Sequence, residues 1–146
     1  MSTAFAALQA ALLAALTAAP ALAGGRISAN RLRPIPTGQN TAIVLRMGRS
    51  KGSEEVLGAL DWQTPFAVEC YARAAAGADP QPAVDVLLSD VWARLAALND
   101  ATLGASISIN PEIDWQYDDA DTPAVCAVIQ ITAQHRTARA TLQPWS

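Results

Sequence analysis

The sequence predicts a single α+β domain: an antiparallel β-sheet with two α-helices packed on one face and a long C-terminal β-hairpin. Two segments carry apolar residues at helical spacing, and the C-terminal third alternates apolar and polar residues as a half-buried strand does. The length of 146 residues suits one domain, residues 1–146, with a core of its own. Hydrophobic residues reach 51%, but aromatic residues only 5%, so few large side chains must build that core.

The first helix is predicted over residues 3–19. Ser2 or Thr3 supplies the N-cap, and Pro20 follows the C-terminus. The large side chains recur three and four residues apart with alanine between them, which forms one apolar stripe. The stripe consists of Phe5, Leu8, Leu12 and Leu16.

A cleaved signal peptide is the alternative interpretation of this segment. Ala21-Leu22-Ala23 has the small residues of a cleavage site, but no Lys or Arg precedes Arg26, so the positive region of a signal peptide is missing. We therefore expect a retained helix. The alternative describes a secreted periplasmic binding domain and also requires a disulfide between Cys70 and Cys126, whereas the retained helix fits two reduced, buried cysteines.

The middle of the chain alternates irregular segments and strands. Residues 29–40 contain two prolines and a glycine among polar residues and are predicted to form an irregular arm. A strand is expected over residues 41–47, followed at 49–58 by a flexible loop or the tip of a long hairpin. The next strand is expected over residues 65–73, with Pro65 at its first position.

The core helix is predicted over about residues 80–98. Asp79 precedes Pro80, a pair typical of a helix start, and Asp90 and Arg94 are spaced to form an ion pair on the exposed side. One apolar stripe runs along the helix. It comprises Val84, Leu87, Leu88, Val91, Trp92, Leu95 and Leu98.

The C-terminal hairpin is predicted over about residues 105–137. Two alternating runs flank the turn cluster DDADT, and Pro111 marks a bulge or a strand edge. His135, the one histidine, is expected on the exposed side of the last strand, between Gln134 and Arg136.

Charge is divided unevenly along the chain. Residues 1–60 have a formal charge of +4 and residues 61–146 a charge of −7. Because a basic and an acidic segment can pair head to tail between copies, we expect both segments at a subunit or partner interface. The candidate interface residues are Arg26, Arg31, Arg33, Arg46, Arg49, Lys51, Asp114, Asp118, Asp119 and Asp121.

The sequence contains no motif for catalysis, cofactor binding or metal binding. One histidine and two distant cysteines cannot supply a zinc motif, and no phosphate-binding glycine loop or nucleophile elbow occurs. The acids near 114–121 lack the glycine and closing glutamate of a calcium loop. The basic segment has no interleaved aromatic residues for stacking bases, so sequence-specific nucleic-acid binding is not expected. We therefore expect no enzyme activity, cofactor or metal.

The order of elements resembles the tail terminator, or tail completion, proteins of long-tailed bacteriophages and of phage-derived gene transfer particles. The resemblance covers roughly residues 3–140. It is carried by the Ala/Leu helix, the basic arm, and the segments WQTPFAVECYARA, PAVDVLLSDVWARLAAL and ISINPEIDWQYDDADTPAVCAVIQITAQHRT.

This resemblance implies a structural virion protein, assembled in the host bacterial cytoplasm and located in the tail or neck. Such proteins form a ring, generally hexameric, that caps the tail tube, stops its polymerisation and provides the docking face for the head-to-tail connector. DNA would then cross the channel without sequence-specific binding, and the acidic hairpin tip would face either that channel or a neighbouring subunit. A head-completion protein or a tail-tube subunit is the alternative within the same class.

Overall fold

A computed structural model describes residues 2–29, 40–119 and 122–145. The predicted arm at 29–40 therefore lies almost wholly outside the described residues, as does part of the acidic turn. The helices are α1 (Ala4–Thr17), α2 (Gln81–Ala96) and the short α3 (Asp100–Leu103). The strands are β1 (Ile27–Ala29), β2 (Thr41–Met47), β3 (Lys51–Ser53), β4 (Ala59–Arg73), β5 (Ser106–Asp118) and β6 (Ala124–Ala138).

The strands form one six-stranded sheet in the order β1-β2-β4-β6-β5, and β3 pairs with β4 beside β2. Every pairing is antiparallel except that of β1 with β2. Helices α1 and α2 contribute to one hydrophobic cluster with the inward side chains of the sheet. The predicted α+β class is therefore confirmed, with a mixed rather than purely antiparallel sheet.

The segment predicted at 49–58 as a loop or hairpin tip forms the end of a long hairpin. Strands β2 and β3 pair with successive parts of β4, and residues 48–50 face only two residues of β4, so a β-bulge separates the two short strands. Gly52 lies under the indole of Trp62, where a Cβ would come within 2.8 Å of Trp62 Cζ3. Because its first part pairs with β3, strand β4 begins at Ala59, six residues before the predicted start.

The C-terminal hairpin forms as predicted, with a register shift between Ile109 and Ile113 that places Pro111 in a bulge. Its two strands pair from Ser106 with Gln134 to Asp118 with Ala124. Most inward side chains on the central strands are buried, and those of α1 and α2 meet them. The largest of these buried side chains include Leu12, Leu16, Ile43, Phe66, Val91, Ile129 and Ile131.

Helix α1 begins as predicted, with the Thr3 hydroxyl accepting a hydrogen bond from the Ala6 N–H. Its C-terminal end is held by Arg94 of α2, whose guanidinium donates to the carbonyls of Ala15, Leu16, Ala18 and Pro20 at 2.8–3.3 Å. A cation at this position gives a hydrogen-bond partner to carbonyls that have none within the helix. Its charge also interacts favourably with the negative C-terminal end of the helix dipole. The predicted ion pair of Arg94 with Asp90 is wrong, because Arg94 turns towards α1.

We predict that replacing Leu95 by alanine lowers the free energy of unfolding by about 2–5 kcal/mol, because its 3% exposed side chain would leave a cavity. Val86 is a matched control on the same helix, since it is 63% exposed, and Val86→Ala should change stability by less than about 0.5 kcal/mol. Urea denaturation of both variants measures the difference. Equal effects would contradict the burial of the α2 stripe.

Candidate assembly interface

The sheet places the predicted interface charges at its two opposite edges. Asp114 and Asp118 lie on β5, and Lys51 lies on β3, with Arg49 two residues before it. All four are exposed. Three inter-strand spacings separate β3 from β5, a distance of about 14 Å. The width of the sheet therefore separates Arg49 and Lys51 from Asp114 and Asp118.

Asp119 follows β5 directly and is exposed. The remaining candidates from the acidic turn and the arm, Asp121, Arg31 and Arg33, lie outside the described residues. Asp118 and Asp119 lie at the end of the sheet opposite to the β3–β4 hairpin tip, because Asp118 pairs with Ala124 and Ala124 with Arg73 at the end of β4.

Arg26 is used within the subunit. Its Nε donates to the Thr41 carbonyl at 2.6 Å, and its Nη2 donates to Thr41 Oγ1 at 3.0 Å. The Ile43 N–H in turn donates to the Arg26 carbonyl. Arg26 thereby joins the start of β1 to β2, a role that its place in a run of cations did not indicate.

Arg46 also has a partner within the subunit, on the face of the sheet that the helices leave uncovered. Glu69 Oε1 accepts hydrogen bonds from Arg46 Nε at 2.9 Å and from the Tyr71 hydroxyl at 2.7 Å. The ion pair with Glu69 raises the pKa of Arg46, and burial raises that of Tyr71. These three side chains lie beside a small apolar group on this outer face. That group consists of Ala42, Val44, Cys126 and Val128, all buried.

The outer face also contains an open depression of about 860 Å³ at the other end of the sheet. Its floor carries an ion pair in which Arg136 Nε lies 2.5 Å from Asp61 Oδ1 and Nη2 lies 3.1 Å from Oδ2. The paired guanidinium lowers the pKa of Asp61. Lys51, Gln63 and Gln134 also line the depression and add polar groups to its surface.

The two cysteines are free and buried, as the retained-helix interpretation expects. Cys126 pairs with Tyr71, the residue after Cys70. Because successive side chains of a strand point to opposite faces, the two thiols lie on opposite faces of the sheet. Burial raises the pKa of each thiol to about 12. Both groups are therefore protonated at neutral pH and behave as small apolar side chains.

His135 is not on the exposed side of the last strand, and that prediction is wrong. Its ring makes an edge-to-face contact with Phe5 of α1 at a centroid distance of 5.0 Å, beside a second such contact between Phe5 and Trp62. The signal was present in the sequence, because His135 shares the alternation of Ile129 and Ile131, which face the helices.

A chain of hydrogen bonds reaches His135 from the β2–β3 bulge. Ser50 Oγ donates to Thr64 Oγ1 at 3.0 Å, and Thr64 Oγ1 lies 2.8 Å from His135 Nε2. Which of the two atoms donates in this second contact depends on the tautomer of the ring, and the other ring nitrogen, Nδ1, is buried without a hydrogen-bond partner. Thr64 is fully buried, so a substrate cannot approach its hydroxyl. Through its contact with Phe5, the His135 ring links this chain of hydrogen bonds to α1.

Among the described residues, no three His, Cys, Asp or Glu side chains gather as a possible metal site. None of the helices in the described ranges is long and apolar enough to cross a membrane. The described surface does expose large apolar side chains. Leu57, at the β3–β4 hairpin tip, is 87% exposed, and its neighbour Val56 is 41% exposed.

The chain matches no protein-family model and no curated protein. The functional assignment therefore depends on the surfaces described above and on the order of elements.

We predict that stability falls as the pH is lowered below the ordinary histidine pKa. Burial lowers the pKa of His135, so the unfolded chain binds a proton more readily than the folded chain does. The neutral ring therefore contributes stability above about pH 6.5, and this contribution is lost as the pH falls towards the folded-state pKa.

Thermal unfolding measured between about pH 7.5 and 5.5 tests this, because histidine is the side chain that ordinarily titrates in this range. His135→Gln serves as the control, and its stability should depend less on pH than that of the wild type. An unchanged pH dependence in the variant would show that another group is responsible.

Proposed function

We propose that this protein is a structural subunit that closes into a ring and acts as a tail terminator. In this role it caps the tail tube, stops its polymerisation and offers a docking face to the head-to-tail connector. The observation that carries the proposal is that both long helices pack on one face of the sheet, while exposed charged side chains lie on the outer strands β3 and β5.

The element order supports the proposal. The segments that resemble tail terminators are a helix, a strand region, a second helix and a C-terminal hairpin. The fold contains these elements in that order. The shared fold class alone does not assign a function, since one fold can serve many. The proposal therefore also depends on the exposed surfaces.

The hairpin tip supports a contact with the tube or the connector. Leu57 and Val56 project from a turn at one end of the sheet, and exposed apolar side chains of this kind often mark protein contacts. A ring of such tips would present an apolar contact on one side only. A cap needs this asymmetry, because a tube subunit must match its neighbours on both sides.

Closure of the ring follows from head-to-tail contacts. Two different surfaces that meet around a rotation axis give a closed ring when the rotation closes and a filament when it does not. The opposite charges at the two edges of this sheet supply two such different surfaces.

The first prediction is that the protein limits tube growth. Purified protein added at a low molar ratio to polymerising tail-tube protein should shorten the tubes, and native mass spectrometry should find it as a closed oligomer bound to tube ends. Leu57→Ser should weaken capping, while Val86→Ser, which alters an exposed apolar residue on α2, should not. Long tubes formed by the protein alone would contradict the terminator role.

The second prediction concerns the basic segment. Reversing Arg31 and Arg33 to glutamate should impair assembly while leaving the monomer folded, because the segment from Arg26 to Lys51 contains six cations and no acid. Circular dichroism monitors the fold, and electron microscopy of particles monitors the tails. Particles with normal tails would show that these cations are not an assembly contact.

A further inference from the structure

Strand β5 has an open side that is capped near its start. In the described part of the sheet β5 is the last strand, and it pairs with β6 alone. The Ile107 N–H donates to Asp100 Oδ1 at 3.2 Å, so a side chain occupies the open side there. Pro111 lies in the bulge and has no N–H to offer. Within the described residues, the uncapped part of this edge therefore lies beyond Pro111.

Alternate residues beyond Pro111 direct their backbone groups to the open side. Every second residue of a strand points its N–H and C=O the same way. Ile107, Ile113, Trp115 and Tyr117 all stand opposite alternate residues of β6, and β6 pairs with β4 without interruption. Because Ile107 points its N–H away from β6, the other three residues do so as well. They can therefore pair with an added strand, as open edges ordinarily do.

On the inner face of the sheet, this part of the edge borders an apolar groove. The groove has a volume of about 390 Å³ and lies between α2 and β5, where Leu88, Trp92 and Ile113 line it. Ile113 and Trp115 are only partly buried, and Tyr117 is 64% exposed, although most inward residues of the central strands are buried. A strand added here would cover these side chains with its own inward residues, which should be apolar.

On the outer face, the same stretch of β5 carries carboxylates. Glu112 and Asp114 flank Ile113 and are exposed, and they point to the opposite face because side chains alternate along a strand. Asp85 lines the groove from α2. The one cation of α2 and β5 is Arg94, which binds the carbonyls at the end of α1. The surroundings of this edge are therefore negative and attract cations.

The described edge strands of a second copy do not match this pattern. A second β5 would bring carboxylates against carboxylates. Strand β1 has the sequence ISA and carries no charge. Strand β3 carries Lys51, but its inward residue is Gly52, which has no apolar side chain for the groove. The pattern therefore fits a segment of a different protein.

We propose that residues 112–118 of β5 form a docking edge for an extended segment of another protein. The segment adds a strand to the sheet, with apolar side chains facing the groove and lysine or arginine side chains facing Glu112 and Asp114. Backbone hydrogen bonds supply affinity in strand addition, and the alternating side chains supply specificity. This docking edge goes beyond the terminator role and does not depend on it.

Peptides of defined pattern test the proposal. The probe is an acetylated heptapeptide of alternating lysine and valine. In a second peptide glutamate replaces lysine, and a third is the lysine peptide N-methylated at every residue, which retains the charges but has no backbone N–H. By isothermal titration calorimetry the lysine peptide should bind at least about tenfold more tightly than the glutamate peptide, and the N-methylated peptide should not bind. Equal affinities, or binding of the N-methylated peptide, would overturn the proposal.

Amide hydrogen exchange locates the bound peptide. Exchange should slow at Ile113, Trp115 and Tyr117 when the lysine peptide binds, because their N–H groups then gain partners. Exchange at Ile107 should stay the same, since its N–H already donates to Asp100. Protection confined to another strand would contradict the docking edge. Slowing of the same three amides when the protein alone is concentrated would assign the edge to a second copy and would also overturn the proposal.

Charge reversal on β5 tests the specificity. Glu112→Lys/Asp114→Lys should reverse the preference, so that the glutamate peptide binds more tightly than the lysine peptide. The matched control is Glu55→Lys/Asp90→Lys, which makes the same change in net charge at exposed positions away from β5 and should still prefer the lysine peptide. Circular dichroism and thermal unfolding show that both variants fold. An equal loss of preference in both would mean that the net charge of the protein selects the peptide, and the docking edge would be wrong.

Discussion

The pairing of β4 with β6 is the constraint on which the rest of the structure depends. Fifteen consecutive pairs, from Ala59 with Ala138 to Arg73 with Ala124, fix the register of the two central strands. Side chains alternate across a strand, so this register decides at once which residues face the helices and which face outwards. A shift by one residue would expose Phe66 and Ile131 and bury Asp61 and Arg136, at a large cost in free energy.

One-sided burial follows from that register. Both long helices pack on the inward face, and Arg94 of α2 holds the C-terminal carbonyls of α1, so the helical layer acts as one unit. The outward face is stabilised differently, by ion pairs that cross between strands. Arg46 with Glu69 and Arg136 with Asp61 are partly exposed, so they contribute less to stability than the core does and more to the shape of a polar surface.

Periodicity in the sequence was enough to predict the fold class, both long helices and the C-terminal hairpin, because each depends on a local repeat. It was not enough to predict contacts between distant segments. The early start of β4 was missed since Asp61 and Gln63 look like loop residues, although they occupy the outward positions of a strand. Arg94 was assigned to Asp90 by spacing, whereas the free carbonyls of α1 bind it. Of the candidate interface residues, Arg26 and Arg46 have partners within the subunit that no local pattern could indicate.

Strand β5 carries features that limit pairing of its open edge with other strands. An unprotected 13-residue edge would pair with any exposed strand, including a second β5. Here Pro111 lies in a bulge at the centre of the strand, and the acids Glu112, Asp114 and Asp118 all follow it. Two β5 strands brought together would therefore meet an irregular backbone and repelling carboxylates.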